Sequence, residues 1–290
     1  MEEIRMRLAR YKGMELEKEL ATFESLTKFS VQFYTDASEV FDVITRVRNI
    51  ERNPTGFALN DSAILGLLVR IWKILKEIVV HYERSNGDII SLLDRQLVET
   101  AVMAKFLLLG NDSVIEDYRK CSYKDRFRVL RDAASGAEFF TTPPGQRLLA
   151  SVQKKMSQEG LTEHSFEAQK ANRWKLQGKS FFELFSEVEP PDLYKYLYGI
   201  PSESIHGSWN DSMDFNLNRN DDGTFSAYPF YQEVDIRFVT PLLRLCHDPY
   251  ALWLKRIDAE DEYLSVVLSW IRVTNIRLFN RYEAVHAQRS

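Results

Sequence analysis

Apolar positions recur at helical spacing along most of the chain. Leu16, Leu20, Phe23, Leu26 and Phe29 or Phe33 make one such face, predicting a helix from Glu2 to about Phe33 with Gly13 as a break. Asp36 or Ser38 is placed to cap a second helix running to about Ile50, and Asn53, Pro54 and Gly56 mark a loop. A third helix, from Asn60 or Asp61 to about Arg84, aligns Ile64, Leu68, Ile71, Leu75 and Ile78. Ser85-Asn86-Gly87 then turns the chain, and Asp88 caps a helix to Leu109 that is apolar on almost every side. Two long helices joined by so short a turn pack as an antiparallel pair.

Arg95 and Glu99 are set into that second, central helix. At about 100° per residue both fall in a stripe with Leu92, Val102, Met103 and Phe106, while Ser91, Asp94 and Lys105 mark the expected wet edge. A buried charge is costly unless paired and hydrogen-bonded, so this pair demands a structural or a functional reason.

Gly110-Asn111-Asp112 opens a densely charged helix to about Ala134 that carries Lys124, Arg126 and Arg128. It reads either as a surface helix laced by intrahelical ion pairs or as a face that contacts phosphate. Residues 141–180 hold the weakest core signal and are expected to form a lid or a mobile excursion. Beyond Pro190-Pro191, Tyr194 and Tyr198 share a helix face, and Gly199 and Pro201 interrupt the backbone. Alternation of Met213, Phe215 and Leu217 before Asn220-Asp221-Asp222-Gly223 predicts a β-hairpin over 213–230. Helical spacing returns from Tyr231 to Cys246, breaks at His247-Asp248-Pro249, and resumes over 259–286. The pattern is that of a mainly α, single-domain helical bundle with a small hairpin insertion. Its regions are 1–60, the central hairpin and basic helix at 61–135, the lid at 141–180, the Tyr/His segment at 190–246, and the last helix at 259–286.

Composition narrows the classes. Hydrophobic residues make up 44% of the chain and charged residues 28%, with a formal net charge of −4. That balance disfavours a protein whose whole surface holds nucleic acid, while leaving room for a local basic groove. The N-terminus lacks a signal-type apolar core, and the most apolar run, Ala63 to Val80, contains Arg70, Lys73, Lys76 and Glu77. The expectation is a cytoplasmic protein without a membrane partner. Cys121 and Cys246 are far apart and read as reduced thiols. Asp211, Asp214, Asp221 and Asp222 read as a solvated turn, so neither metal nor cofactor is expected.

The sequence has no phosphate-binding GxxxxGK[ST] loop, no GxGxxG after a strand, no HExxH and no GxSxG elbow. One constellation remains. Histidine moves protons near neutrality, and His206 follows Ser202 by one turn, placing Ser202 to orient its ring. Arg95 can hold a phosphate bidentately, with Glu99 fixing the guanidinium. Together these residues suit metal-independent RNA cleavage. The alternative is an internal network, in which Arg95 and Glu99 pin the helix register while His206 and a tyrosine complete their hydrogen bonds.

The Arg95/Glu99 pair, the Trp174, Gly178, Lys179, Ser180 segment, and the later Tyr194, Tyr198, Ser202, His206, Gly207 segment occur in an order that resembles an uncharacterised family of bacterial helical proteins. The match runs from about Asp61 to Cys246. That family is similar in outline to the HEPN helical bundles, many of which are ribonucleases of toxin–antitoxin and antiphage systems. The resemblance implies an RNA-directed effector with His206, Arg95 and Glu99 as its catalytic set and Ser202, Tyr198 and Tyr194 in support. Arg126, Arg128 and Lys124 would contact phosphate. The HEPN motif is Arg, any four residues, His; here Pro201 stands in the Arg position, so Arg95 would supply the cation from another helix. The alternative is a sensor or interaction module that binds a protein partner or a second copy of the chain.

Overall fold

A computed structural model describes residues 2–286. The fold is mainly α, and the described residues contain only one small sheet. The chain divides into two compact units, one made of residues 1–109 and 184–290 and the other of residues 110–183.

The first unit opens with short helices α1 (Glu2–Leu8) and α2 (Leu16–Glu19), then α3 (Phe23–Arg46). Thr22 and Ser25 close a capping box at the start of α3. The expected break near Asp36 is absent, and α3 runs straight through it. Asp36 is buried mid-helix, where its carboxylate accepts from Tyr11 Oη at 2.7 Å. A partner brought by α1's end removes the need for a cap. Helices α4 (Leu59–Glu83) and α5 (Gly87–Leu109) form the antiparallel hairpin. Asn86, rather than Asp88, caps α5, its Oδ1 accepting from Ile89 N.

Helix α10 (Phe181–Val188) leads into a π-type turn at Lys195–Gly199, then α11 (Pro201–His206) and α12 (Trp209–Phe215). Strands β1 (Leu217–Arg219) and β2 (Phe225–Ala227) pair antiparallel, with Asn218 opposite Ser226. The hairpin is therefore shorter than 213–230. Met213 and Phe215 lie in α12, which the Ser208 hydroxyl caps by accepting from Asp211 N at 3.1 Å.

Helices α13 (Thr240–Arg256) and α14 (Glu262–His286) complete the unit. The expected break at His247-Asp248-Pro249 does not occur, because α13 carries Pro249 inside it. Residues 231–235, expected to be helical, have no regular structure. The core of this unit gathers Phe33, Tyr34 and Phe41 of α3, Leu68 and Ile71 of α4, Leu97 and Ala101 of α5, and Tyr250 and Trp253 of α13. The Phe41 and Tyr250 rings stack at 4.2 Å, and Tyr250 Oη donates to the Leu68 carbonyl at 2.7 Å. Apolar burial supplies the driving force, and such hydrogen bonds satisfy the buried phenols.

The second unit holds α6 (Asp112–Cys121), α7 (Lys124–Ala134), α8 (Pro143–Gln158) and α9 (Glu167–Ala171). Residues 141–180 belong to this unit and carry their own packing. Tyr123, Val152, Met156 and Phe166 are buried together, with Phe127 and Trp174 against them. Arg119 reaches Glu159 from both Nε and Nη2, and Tyr123 Oη donates to the same carboxylate at 2.6 Å. No helix among the described residues is long and apolar enough to cross a membrane.

Candidate functional site

The local backbone that carries His206 follows from two residue types. Pro201 has no N–H, so the chain cannot continue an ordinary helix ladder through it. The turn before it widens, with Ile200 N donating to Lys195 O at 3.0 Å. Gly207 then takes a left-handed φ of 57°, ending α11 at His206.

This segment packs on α5 and brings several of the expected residues together. Arg95 Nη1 lies 3.1 Å from His206 Nε2, and Arg95 Nε donates to Glu99 Oε1 at 3.1 Å. Tyr198 Oη donates to the same Glu99 oxygen at 2.8 Å. The guanidinium sits over the Tyr198 ring, 4.8 Å from its centroid. Tyr194 packs beside Tyr198 at 5.0 Å and edge-on to Phe185 at 5.4 Å. Ser202 is placed differently from expectation. Its hydroxyl donates to the Tyr198 carbonyl, closing an orphan acceptor of the widened turn rather than orienting His206.

The face of α5 is also corrected. The Arg95 and Glu99 side chains are 23% and 42% exposed, so the pair is open to solvent rather than buried. Ser91, assigned to the wet edge, is buried. Asp94 is partly exposed, yet its Oδ1 is buried with no hydrogen-bond partner. Lys105 is mostly buried and reaches both Glu189 and Asp248 at 2.8 Å. Helices α4, α13 and α11 all pack on α5. A helix apolar nearly all round gives little direction from its own sequence.

The electrostatics follow the contacts. Burial, together with the hydrogen bond to Glu99, pushes the Tyr198 phenol up to about 12. Burial also raises Tyr194. For Arg95, partial burial is outweighed by the bond to Glu99, so its guanidinium holds its proton more firmly still. Burial alone raises the Asp94 carboxyl well above the usual carboxylate range.

Lys124, Arg126 and Arg128 lie on α7 in the second unit. Lys124 and Arg128 line a cleft of about 380 Å³ there, joined by Arg131, Lys170, Phe127 and Trp174, with Glu163 as the one carboxylate among the lining residues. Arg126 instead covers the Tyr123 ring. Arg131 belongs to the same charged helix, whereas Lys170 comes from α9, and sequence alone does not bring α9 to α7. Ser180, singled out with Gly178 and Lys179, donates to Glu183 from both its N–H and hydroxyl and so caps α10. Among the described residues no three His, Cys, Asp or Glu side chains gather as metal ligands.

Residues 61–224 match the model of a family described as a family of unknown function, DUF5677. No curated protein and no solved structure matches the chain.

Proposed function

The chain belongs to DUF5677, a family of unknown function, and from that footing we propose that the Arg95–Glu99–Tyr198–His206 cluster is a metal-independent site acting on RNA phosphodiesters. One observation carries the reading: the Arg95 and His206 side chains, from distant parts of the chain, meet at 3.1 Å where solvent reaches both. A purely structural pair gains little from such exposure.

The chemistry runs through these groups. Arginine only donates, so Nε2 of a neutral His206 accepts from Arg95. A phosphate oxygen arriving at the guanidinium displaces that contact and frees Nε2. The imidazole then takes the proton of a ribose 2′-hydroxyl as its oxygen attacks phosphorus, while Arg95 steadies the phosphorane charge. The P–O5′ bond breaks, leaving a cyclic phosphate, and the departing 5′ oxygen takes a proton from water. Tyr198 is a poor acid for that step, since its proton is committed to Glu99 and held up to about 12. Its ring and Glu99 instead fix the guanidinium. In the second unit, the cationic, aromatic cleft formed by Lys124, Arg128, Lys170 and Trp174 has by itself the chemistry to hold phosphate and base. The resemblance to HEPN bundles rests on the order of the Arg95, Trp174 and His206 segments in the sequence, and it makes RNA the first substrate class to try, with phage defence or a toxin role as its setting.

Single-stranded RNA incubated with the full chain in the presence of a chelator tests this. His206→Ala should lower cleavage by about 10²-fold or more, with melting unchanged because His206 is exposed. Wild-type protein that leaves RNA intact, or a His206→Ala variant that cleaves as well, refutes the assignment.

A second reading has its own support. Tyr196, Ile200, Trp209, Phe225, Phe230 and Tyr231 are exposed along one stretch of chain, and exposed apolar side chains mark interaction surfaces when they form a patch. On this reading the module binds a protein partner or a second copy and is not catalytic. Trp209→Ser with Phe230→Ser would then abolish complex formation in sedimentation, while His206→Ala would not.

A further inference from the structure

Helices α13 and α14 flank a cleft of about 450 Å³, within the range of small-molecule sites. None of its lining residues belongs to the Arg95 cluster. Leu193, Leu243, Ile271 and Phe279 give it apolar walls.

The polar groups in it are unequal. Glu189 is already neutralised, taking Lys105 Nζ at 2.8 Å and Arg244 Nη2 at 3.3 Å. Asp248 is likewise held by Lys105 and by His247 Nδ1. Arg272 lines the cleft from an exposed position and makes no ion pair among the described residues. Asn275 is 4% exposed; its Nδ2 donates to the Thr240 carbonyl at 3.0 Å, while its Oδ1 is buried with no partner. A buried acceptor without a donor is a cost that a native structure offsets with water or a ligand.

We infer that this cleft binds a small organic anion built on an apolar ring that bears one N–H or O–H donor. The ring fills the space between Leu193, Ile271 and Phe279. The donor meets Asn275 Oδ1. Asn275 Nδ2 gives one of its two hydrogens to Thr240, and Oδ1 is the amide atom left without a partner. The anionic end meets Arg272. Both a nucleoside monophosphate and a hydroxylated aromatic carboxylate have this chemistry.

Fluorescence titration of the full chain with 8-anilinonaphthalene-1-sulfonate tests it, because that dye carries an anion, fused rings and an N–H. The expected result is one saturable site, weakened about tenfold or more by Arg272→Ala and lost in Ile276→Glu, which sets a carboxylate against the anion. Both positions are exposed, so neither change threatens the fold, and circular dichroism checks this. Competition with adenosine monophosphate and with 4-hydroxybenzoate identifies which source fits. Variants that bind the dye like wild type, displacement by inorganic phosphate alone, or failure of both organic competitors overturns the inference.

Discussion

The guanidinium of Arg95 donates from Nη1 to Nε2 of His206 at 3.1 Å, joining side chains 111 residues apart. A guanidinium has no acceptor, so this contact fixes the histidine tautomer: the proton sits on Nδ1 and the lone pair on Nε2. Nitrogen-detected NMR of ring-labelled protein at mildly alkaline pH should show an unprotonated Nε2 in the wild type. Arg95→Ala should move part of the population to the other tautomer, and Glu99→Gln should do so less, since Glu99 acts only by steering the guanidinium. A wild-type ring already protonated at Nε2 would contradict the geometry.

Much of the frame was legible from periodicity. The α4–α5 hairpin and the long last helix follow from apolar positions three and four apart, and the short Ser85–Gly87 turn dictated their pairing. What the chain concealed was set by partners. Asp36 looked like a cap because its satisfying hydroxyl, Tyr11, is 25 residues away. The orientation of α5 could not be read because nearly every face is apolar, and the elements that cover it arrive from distant sequence. Met213 and Phe215 suited a strand, but Ser208 and Asp211 carried a helix-start signature that outranks two alternating positions. At the candidate site, Arg95, Glu99 and His206 were visible as residue types, whereas the roles of Ser202 and Asp94 depend on where one hydroxyl and one oxygen point.

Asp94 gives a pH prediction. Its carboxyl is raised by burial, so it stays protonated in the folded chain at pH values where the unfolded chain releases its proton. A raised folded pKa contributes stability that is complete below the unfolded value of about 4. That contribution is lost as pH climbs through the folded value. Urea midpoints measured upward from pH 4 should therefore fall faster for wild type than for Asp94→Asn. At pH 7 the variant should be more stable, by about 1 kcal/mol or more, the scale of an uncompensated buried polar group. Parallel pH profiles would remove the assignment.

Lys105 tests the buried ion network. It holds Glu189, whose side chain is 5% exposed, and Asp248 together. Lys105→Met leaves Glu189 with only the longer contact to Arg244, and breaking a buried pair from one side costs about 3–5 kcal/mol. Restoring neutrality with Glu189→Gln in the same chain should recover part of that loss, which a simple packing defect would not. The bonds from His247 and Lys105 hold Asp248 well below the usual carboxylate range. Its contribution to stability is thus present above about pH 4, declines as pH falls through the depressed value, and should vanish in Asp248→Asn.

Phe166 tests the second unit. Only Tyr123, Val152, Met156 and Phe166 are buried in its core cluster, and Phe166 touches Tyr123, Phe127 and Trp174 through its ring. Truncating a buried Phe to Ala costs about 3–5 kcal/mol, a large share of what so small a core can supply. Hydrogen exchange followed by mass spectrometry on Phe166→Ala should show protection lost across residues 110–183 while α3, α4, α5 and α13 keep theirs, as expected when cooperative units open separately. Loss spread evenly over both units would mean instead that the chain unfolds as one, with the division at Gly110 and Leu184 carrying no energetic weight.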